Sequence, residues 1–526
     1  MCYIRPDLDT NAPAARGRGR LPSRATVLTN LRNGMGRFRA LGRRLVAVFA
    51  VPESDAASGK RRSPSIAAIL SFVWPGLGQL YLRSRRTAVI FAIPPILLVL
   101  LLAYALRRGT LVLATQLVAD RLVGLTAVTL LAILGLWRLA SVLHAFLASR
   151  SRTGRRIVQR GVLGALVLAI LGTHLAIGAV LLSVSNAGSE VFNPVNPVIA
   201  RAAASYSLAP GATATAVVTP GPTPDLSHRI TVMLSGVDAS PEPNRLGEML
   251  YDSMMVISFD PTTNSVQMIS VPRDATNFPL YYGGVRQYPH KLNELPSDVR
   301  SGFYSPETNS DPEAKGYATI VNEVQYLLGV HIDYTAKMDL DQFVSLIDTV
   351  GGIWVDNPTA ICDCAYTDSQ GNSWPGYDWL DGTYGFQLPA GHVHLDGRHA
   401  LAYIRSRHSI GESDWTRQNR QQQVLLALLK QMTSLDQLPN LFKVINDLPN
   451  LMLTDLPGNL ASDLVAVYTQ NNPKVNQVVL DGQYFRGYIG GASCLNYYRI
   501  AQLSRQVFGK DSLWQGKPDP PDTCPA

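Results

Sequence analysis

Four apolar stretches crowd the first 184 residues, and this constrains the chain more than any other feature. They run over roughly 65–82, 87–106, 122–147 and 161–184. About 20 apolar residues cross the hydrocarbon core as a helix, and the second, third and fourth stretches reach that length. The first is shorter and is interrupted by Trp74-Pro75-Gly76-Leu77-Gly78. The cations between the stretches orient them. Arg150, Arg152, Arg155, Arg156 and Arg160 place the loop before the fourth stretch in the cytoplasm, so everything after Ser185 falls outside. Arg83, Arg85 and Arg86 start the second stretch from inside. Two arrangements remain. In one, the first stretch is a re-entrant or interfacial hairpin turning at Pro75-Gly76, with three true spans and a cytoplasmic N-terminus. In the other, four spans leave the N-terminal tail outside. Arg138 and His144 lie within the third stretch, where charged and polar groups are either functional or, as expected here, accommodated, Arg138 by packing against neighbouring helices and His144 by lying near the interface.

Charge divides the 526-residue chain at the same place. Residues 1–228 hold 26 Lys/Arg against 7 Asp/Glu, a net of +19, whereas residues 229–526 hold 21 against 32, a net of −11. The cations of the first part flank apolar runs, which fits a membrane surface. The acidic second part has the wrong sign for nucleic acid. Residues 1–62 read as a basic, disordered cytoplasmic tail, 63–184 as the membrane region, and 185–228, rich in Pro, Thr and Ala, as a linker. Of the five cysteines, Cys362, Cys364, Cys494 and Cys524 lie in the acidic part, as suits disulfides outside the cytoplasm. Cys494 with Cys524 is one pairing; Cys362 and Cys364 pair with each other or cross to those two.

Residues 229–526 read as one α/β domain with a mixed central sheet flanked by helices. Ile230–Ser235, Met254–Phe259 and Val266–Val271 have strand character, and the turn at 260–264 makes the last two a hairpin. Helices are expected before Gly329, over Leu340–Val350, Leu395–Arg405, Asp414–Met432 and Leu460–Tyr468. Residues 296–316 and 360–387 read as long insertions, the second carrying Trp374, Tyr377, Trp379 and Tyr384, which suit stacking on sugars.

The chemistry-bearing residues form an ordered series: Asp252-Ser253 before a strand, Pro272-Arg273-Asp274, Lys291-Leu292-Asn293, Tyr403-Ile404-Arg405-Ser406-Arg407-His408, then Asp414, Arg417, Arg420 and Gln421. Fixed guanidinium groups with a few carboxylates can hold a pyrophosphate and a divalent metal, and the planar Arg fork grips two phosphate oxygens at once. Asp414, Arg417 and Gln421 share one helical face, with Arg420 on a neighbouring one. His392-x-His394 has no matching carboxylate pair in sequence and reads as structural or acceptor-side. No Gly-rich phosphate loop precedes a helix, which argues against a soluble nucleotide enzyme.

In order and spacing, residues 230–432 resemble the LytR–CpsA–Psr family of membrane-anchored glycopolymer ligases. Leu388-Pro-Ala-Gly391, Leu395-Asp-Gly397 and Val350-Gly-Gly-Ile-Trp-Val-Asp356 add to the likeness. The resemblance implies transfer of a glycan from a polyprenyl-pyrophosphate carrier to a cell-wall acceptor such as peptidoglycan, with Mg²⁺. It implies that Arg273, Lys291, Arg405 and Arg407, with Gln421, bind the pyrophosphate and that Asp238 and Asp252 hold the metal. Asp252, Arg273, Asp414 and Arg417 would be catalytic, with Asp414 as base for the acceptor hydroxyl. One departure stands out: the family's usual Arg two positions before the metal Asp is Leu250 here, and Arg245 in the preceding loop is the nearest substitute by sequence. Residues 66–106 separately resemble small multispanning modules with a Pro-Gly-x-Gly-Gln-x-Tyr turn. A hydrolase acting on the same donor, or an impaired lipid-binding scaffold, are the alternatives.

Overall fold

The computed structural model describes residues 62–107, 109–149, 156–192, 226–238, 250–281, 288–303, 311–363, 385–407, 413–432, 444, 452–489 and 492–519. The tail, most of the linker, Arg245, His408, Cys364, Cys524 and the aromatic residues at 374–384 lie outside them. Two compact units emerge: Met1–Leu98 with Leu134–Gly172, and Val99–Ile133 with Thr173–Ala526.

The first unit opens with a broken helix, α1 (Pro64–Val73) and α2 (Leu77–Tyr81), interrupted at Trp74-Pro75-Gly76 where the expected turn lies. Gly76 has φ +104°, and a Cβ there would meet the Ala88 carbonyl oxygen at 2.4 Å. Buried Gln79 accepts from Ser71 Oγ at 3.1 Å and donates to the Ser141 carbonyl at 2.9 Å. Arg138 donates to the Phe72 carbonyl at 2.6 Å and lies over the Phe72 ring, so it packs against a neighbouring helix as expected. Satisfying a polar group internally is what an apolar surround demands.

Among the described residues three helices are long and apolar enough to cross a membrane: α3 (Arg85–Leu106), α5 (Arg121–Leu147) and α6 (Arg156–Val191). The last runs seven residues past the expected start of the linker. A further apolar helix, α4 (Thr110–Ala119), stands between α3 and α5, outside the four apolar stretches named from the sequence.

In the second unit a six-stranded sheet has the order β10-β5-β1-β2-β3-β11. Its members are β1 (Ile230–Asp238), β2 (Leu250–Asp260), β3 (Ser265–Val271), β5 (Tyr334–Asp339), β10 (Leu453–Thr454) and β11 (Lys474–Val479). The β2–β3 hairpin is antiparallel, whereas β1 with β5 and β3 with β11 are parallel, so the sheet is mixed as predicted. A short β4 (Ala275–Thr276) joins β12 (Phe485–Ile489) and β13 (Ala492–Leu495) in a small second sheet.

Helices cover the large sheet through two apolar clusters. One joins Met233, Val256 and Ile269 to α8 (Pro312–Leu328) and α13 (Tyr497–Phe508). The other joins α9 (Leu340–Thr349), β6 (Ile353–Asn357), β9 (Gly391–Leu395), α10 (Gly397–Arg405) and α11 (Asp414–Met432). Two expectations need correction. The stretch 296–316 contains a helix, α7 (Leu295–Arg300), and the first turn of α8, because Asp311 caps α8 and Pro312 opens it. The helix expected from Leu395 begins at Gly397, because Asp396 is its cap and Leu395 pairs with Ile353 in the β6–β9 ribbon. The outer 360–387 stretch begins and ends in a second ribbon, β7 (Ile361–Asp363) with β8 (Phe386–Leu388).

Gly329 ends α8 at φ +60°, and a Cβ there would lie 2.0 Å from the Trp514 ring. Both the backbone and the ring oppose a side chain. Gly329→Ala is expected to destabilise this domain by about 2–4 kcal/mol, read as a lowered denaturation midpoint.

Candidate anion-binding site

A β-bulge places the first carboxylate. Gly236 pairs with Ser253, but the next residue, Val237, pairs with Tyr251, leaving Asp252 without a partner in the ladder. Tyr251 and Met254 consequently face the same apolar cluster although they are three residues apart. Asp252 and Ser253, between them, are freed for other contacts. Asp252 pairs with Arg273, and Ser253 Oγ donates to Gln421 Oε1 at 3.0 Å.

Arg273 follows β3 at the turn opened by Pro272. Its carbonyl accepts from Asn293 N at 3.2 Å, which draws the 3₁₀ turn Leu292–Glu294 and the preceding Lys291 beside it. Lys291 Nζ lies 2.8 Å from Asp274 Oδ1, and Arg273 Nε lies 3.8 Å from Asp274 Oδ2. Asp274 is therefore a shared counter-ion. Burial acts to raise its pKa, but Arg273, Lys291 and Arg417 outweigh burial and hold the carboxyl below its ordinary value.

Helix α11 begins at Asp414, as read from the sequence. Buried Arg417 sits 2.6 Å from Asp414 Oδ1, and Gln418 donates to Asp414 Oδ2 at 3.0 Å, so both oxygens of the suggested base are engaged. Burial, then repulsion from Arg273, lowers the Arg417 pKa against the pull of Asp414, Asp252 and Asp274. Gln422, one residue past Gln421, anchors the helix to the sheet by donating to Ser270 Oγ at 2.8 Å and the Val478 carbonyl at 2.9 Å.

Arg405 ends α10 and reaches Asp238 Oδ2 at 3.4 Å, beside the position where Leu250 pairs with Asp238 in the sheet. Arg405 thus brings a guanidinium to the strand end where Leu250 supplies none. Arg407 stands apart: its side chain is exposed, and its backbone N–H donates to Asp363 Oδ2 at 3.0 Å. Two supporting residues set this corner. Buried Asp363 also accepts from Ser406 Oγ at 2.7 Å, and Arg420 donates to the Ser406 carbonyl at 2.7 Å while lying over the Tyr403 ring. Arg420 on its neighbouring face is thus a brace. Asp363 escaped the sequence reading; its one signal was a carboxylate between two cysteines in an otherwise uninformative stretch.

Among the described residues, the guanidinium groups Arg273 Nε, Arg405 Nη1 and Arg417 Nε are buried without a hydrogen-bond partner, as are the acceptors Asp274 Oδ1 and Asp414 Oδ1, which are met by ion pairs alone. Buried donors are nearly always satisfied, so an arrangement that leaves three unmet is suited to a multivalent anion. Among the described residues no group of three His, Cys, Asp or Glu side chains is placed to hold a metal. Asp238 and Asp252 supply hard oxygen donors from adjacent strands, the ligand type Mg²⁺ takes, and each is ion-paired to an arginine here. Cys494 is disulfide-bonded. His392 Nδ1 lies 2.7 Å from Asp356 Oδ1 across the β6–β9 ribbon and the His392 ring stacks on Trp354, while His394 hydrogen-bonds the Gly351 carbonyl at 3.0 Å.

Residues 204–509 match the LytR_cpsA_psr family. A relative from Bacillus licheniformis, the polyisoprenyl-teichoic acid–peptidoglycan teichoic acid transferase TagU, is 27% identical over 256 residues, covering 48% of this chain and 68% of its own. TagU of Bacillus mycoides is 25% identical over 280 residues, covering 53% and 76%. Among solved structures, Bacillus subtilis TagV is 22% identical with a TM-score of 0.37, covering 53% of this chain and 96% of that one. The protein gbs0355 from Streptococcus agalactiae is 22% identical with a TM-score of 0.41, covering 56% and 91%. The family match takes in more than half of the 526 residues and every residue of the site above, and the chain belongs to the LytR_cpsA_psr family.

Proposed function

We propose that this protein transfers a glycopolymer from a polyprenyl-pyrophosphate carrier to a hydroxyl of the cell wall, peptidoglycan being the favoured acceptor. The observation that carries this reading is the set of three unmet guanidinium donors on Arg273, Arg405 and Arg417. The names of the TagU relatives, which state a polyisoprenyl-linked donor and a peptidoglycan acceptor, support it. So do the three helices of membrane-spanning length among the described residues; in this proposal the N-terminus is cytoplasmic and the α/β domain lies outside, the side on which cell wall is built.

A pyrophosphate carries about two negative charges, and the leaving lipid phosphate gains more as its bond breaks. Arg273, Arg405 and Arg417 meet that growing charge with donors fixed before the substrate arrives. Lys291 adds a fourth cation, and Arg407 reaches the outer part of the donor. Asp238 and Asp252 would hold Mg²⁺, which neutralises phosphate charge when bound. Asp414 first orients Arg417; taking the acceptor proton requires its bond from Gln418 to yield to the incoming hydroxyl. Gln421, held by Ser253, completes the polar wall.

The test uses the full chain in detergent with Mg²⁺, a glycan-labelled polyprenyl-pyrophosphate donor and peptidoglycan fragments. Label is expected on the fragments. Label released into solution as glycan phosphate would replace the transferase with a hydrolase. Donor retained without turnover would leave a lipid-binding scaffold.

A further inference from the structure

Helix α4 is too short to cross a membrane and at ten residues too short to be stable alone in water. Its stability comes from what packs on it: within its compact unit these are α6 and a helix of the α/β domain, besides α5, where a Cβ on Gly124 would lie 3.1 Å from the Leu117 carbonyl oxygen. A Cβ on Gly188 of α6 would lie 2.0 Å from the Val118 carbonyl oxygen, and Val118, Val184 and Phe192 close an apolar cluster there. On another side α4 packs against α12 (Gly458–Asn471), a helix of the α/β domain. A Cβ on Gly458 would lie 1.9 Å from the Ala119 carbonyl oxygen, and Gly109 lies beside the Gln470 side chain. The two helices therefore run antiparallel over the whole length of α4. Glycine at 458 and at 188 is what permits backbone to meet backbone on both sides.

We propose that α4 is an intramolecular dock that fastens the α/β domain to the outer ends of the apolar helices, so that the anion site meets membrane-borne donors in one fixed presentation. This rests on reading α3, α5 and α6 as spans and on the transfer reaction above. The segment joining Phe192 to Leu226 could extend on the order of 100 Å at most, so covalent connection alone does not hold the domain at a set height. The α4–α12 contact does, and it gives the additional apolar helices of this chain a purpose that a single anchor would not serve.

The test uses the full-length protein in liposomes. Ala114 and Leu464 lie at the midpoints of the antiparallel pair, so Ala114→Cys with Leu464→Cys is expected to be bridged by a short bis-maleimide within one polypeptide, identified as a linked peptide. Adding Gly458→Leu is expected to abolish the bridge. Gly458→Leu should lower transfer from a long-chain donor in the bilayer about tenfold or more, as misplacement of reacting groups does. Transfer from a water-soluble short-chain donor should stay within about twofold, showing an intact site. Absence of the bridge in the parent pair overturns the proposal, as does unchanged long-chain transfer once the bridge is lost. Should Gly458→Leu lose both activities, the bridged pair decides: locked protein must keep its long-chain transfer, and its loss overturns the dock. A wild-type protein that transfers from neither donor would sink the transfer reaction while the bridging result still reports on the contact.

Discussion

Arg273→Ala lowers transfer by about a hundred- to a thousandfold, the range for removing one preorganised donor from a site of developing charge. Three consequences of the geometry combine in this effect. The side chain is only 12% exposed, so its charge acts with little screening by water. It is the partner of Asp252 and contributes to holding Asp274 ionised, so its loss leaves carboxylates facing an anionic donor. Its unmet Nε donor is also lost. Arg273→Lys keeps the charge but not the planar fork, and should recover only part of the rate. Steady-state transfer and donor binding, measured separately, check this. Loss of turnover with donor affinity reduced by a smaller factor is expected; a variant with wild-type transfer would remove Arg273 from the site. Far-ultraviolet circular dichroism of the variant should match wild type, since Lys291 continues to pair with Asp274.

Glu323→Gln raises stability near pH 8 and leaves it little changed near pH 5. Glu323 is fully buried in α8, where burial pushes its pKa up from 4.5 to about 8 against the bond it accepts from Tyr281 N at 3.1 Å. Tyr326 and Tyr497 also face it, their own pKa values raised chiefly by burial and then by this carboxyl. Between 4.5 and about 8 the unfolded chain has released this proton while the folded protein keeps it, so the folded state binds more protons and stability falls as pH rises. The contribution is complete below the unfolded value and lost by the folded one. A shift of this size corresponds to a few kcal/mol, and glutamine keeps the acceptor for Tyr281 without the titration. Buried Asp455, raised to about 7 by burial against its bonds from Thr335, falls in the same sense over a narrower window. The span from about 7 to about 8 therefore isolates Glu323. Thermal melts of both proteins across this range should converge at acid pH and separate progressively above it; parallel curves would refute the buried neutral carboxyl.

The parts of this molecule that were legible in the sequence are those with a local cause. The β2–β3 hairpin follows from alternating strands around a polar turn, and α11 occupies the expected Asp414–Met432, capped by Ser413 Oγ, which accepts from Thr416 N at 3.2 Å. The ordered Arg, Lys and Asp series placed most of the site before any geometry was known. What stayed hidden depends on contacts between distant segments. Glu323 occupies a polar position in an amphipathic helix, and only the packing of α8 on nearly every side shows it to be buried. Asp363 becomes a brace only when β7 and β8 pair and bring it under Ser406. Helix α4 was too short for a length criterion and gains its meaning from Gly458, more than 300 residues away.

The bulge at Asp252 sets two selective demands against each other. Removing that one residue would let β1 and β2 pair without interruption, giving a more regular ladder and, by hydrogen bonding alone, a sturdier sheet. The same deletion would take away the carboxylate that Arg273 holds. Mutagenesis screens scored only for folding or expression would tolerate or even favour shortening the strand here, whereas screens scored for activity would reject it. The disagreement between two such screens at a single strand position would mark this bulge as an irregularity kept for chemistry, at the expense of the sheet that carries it.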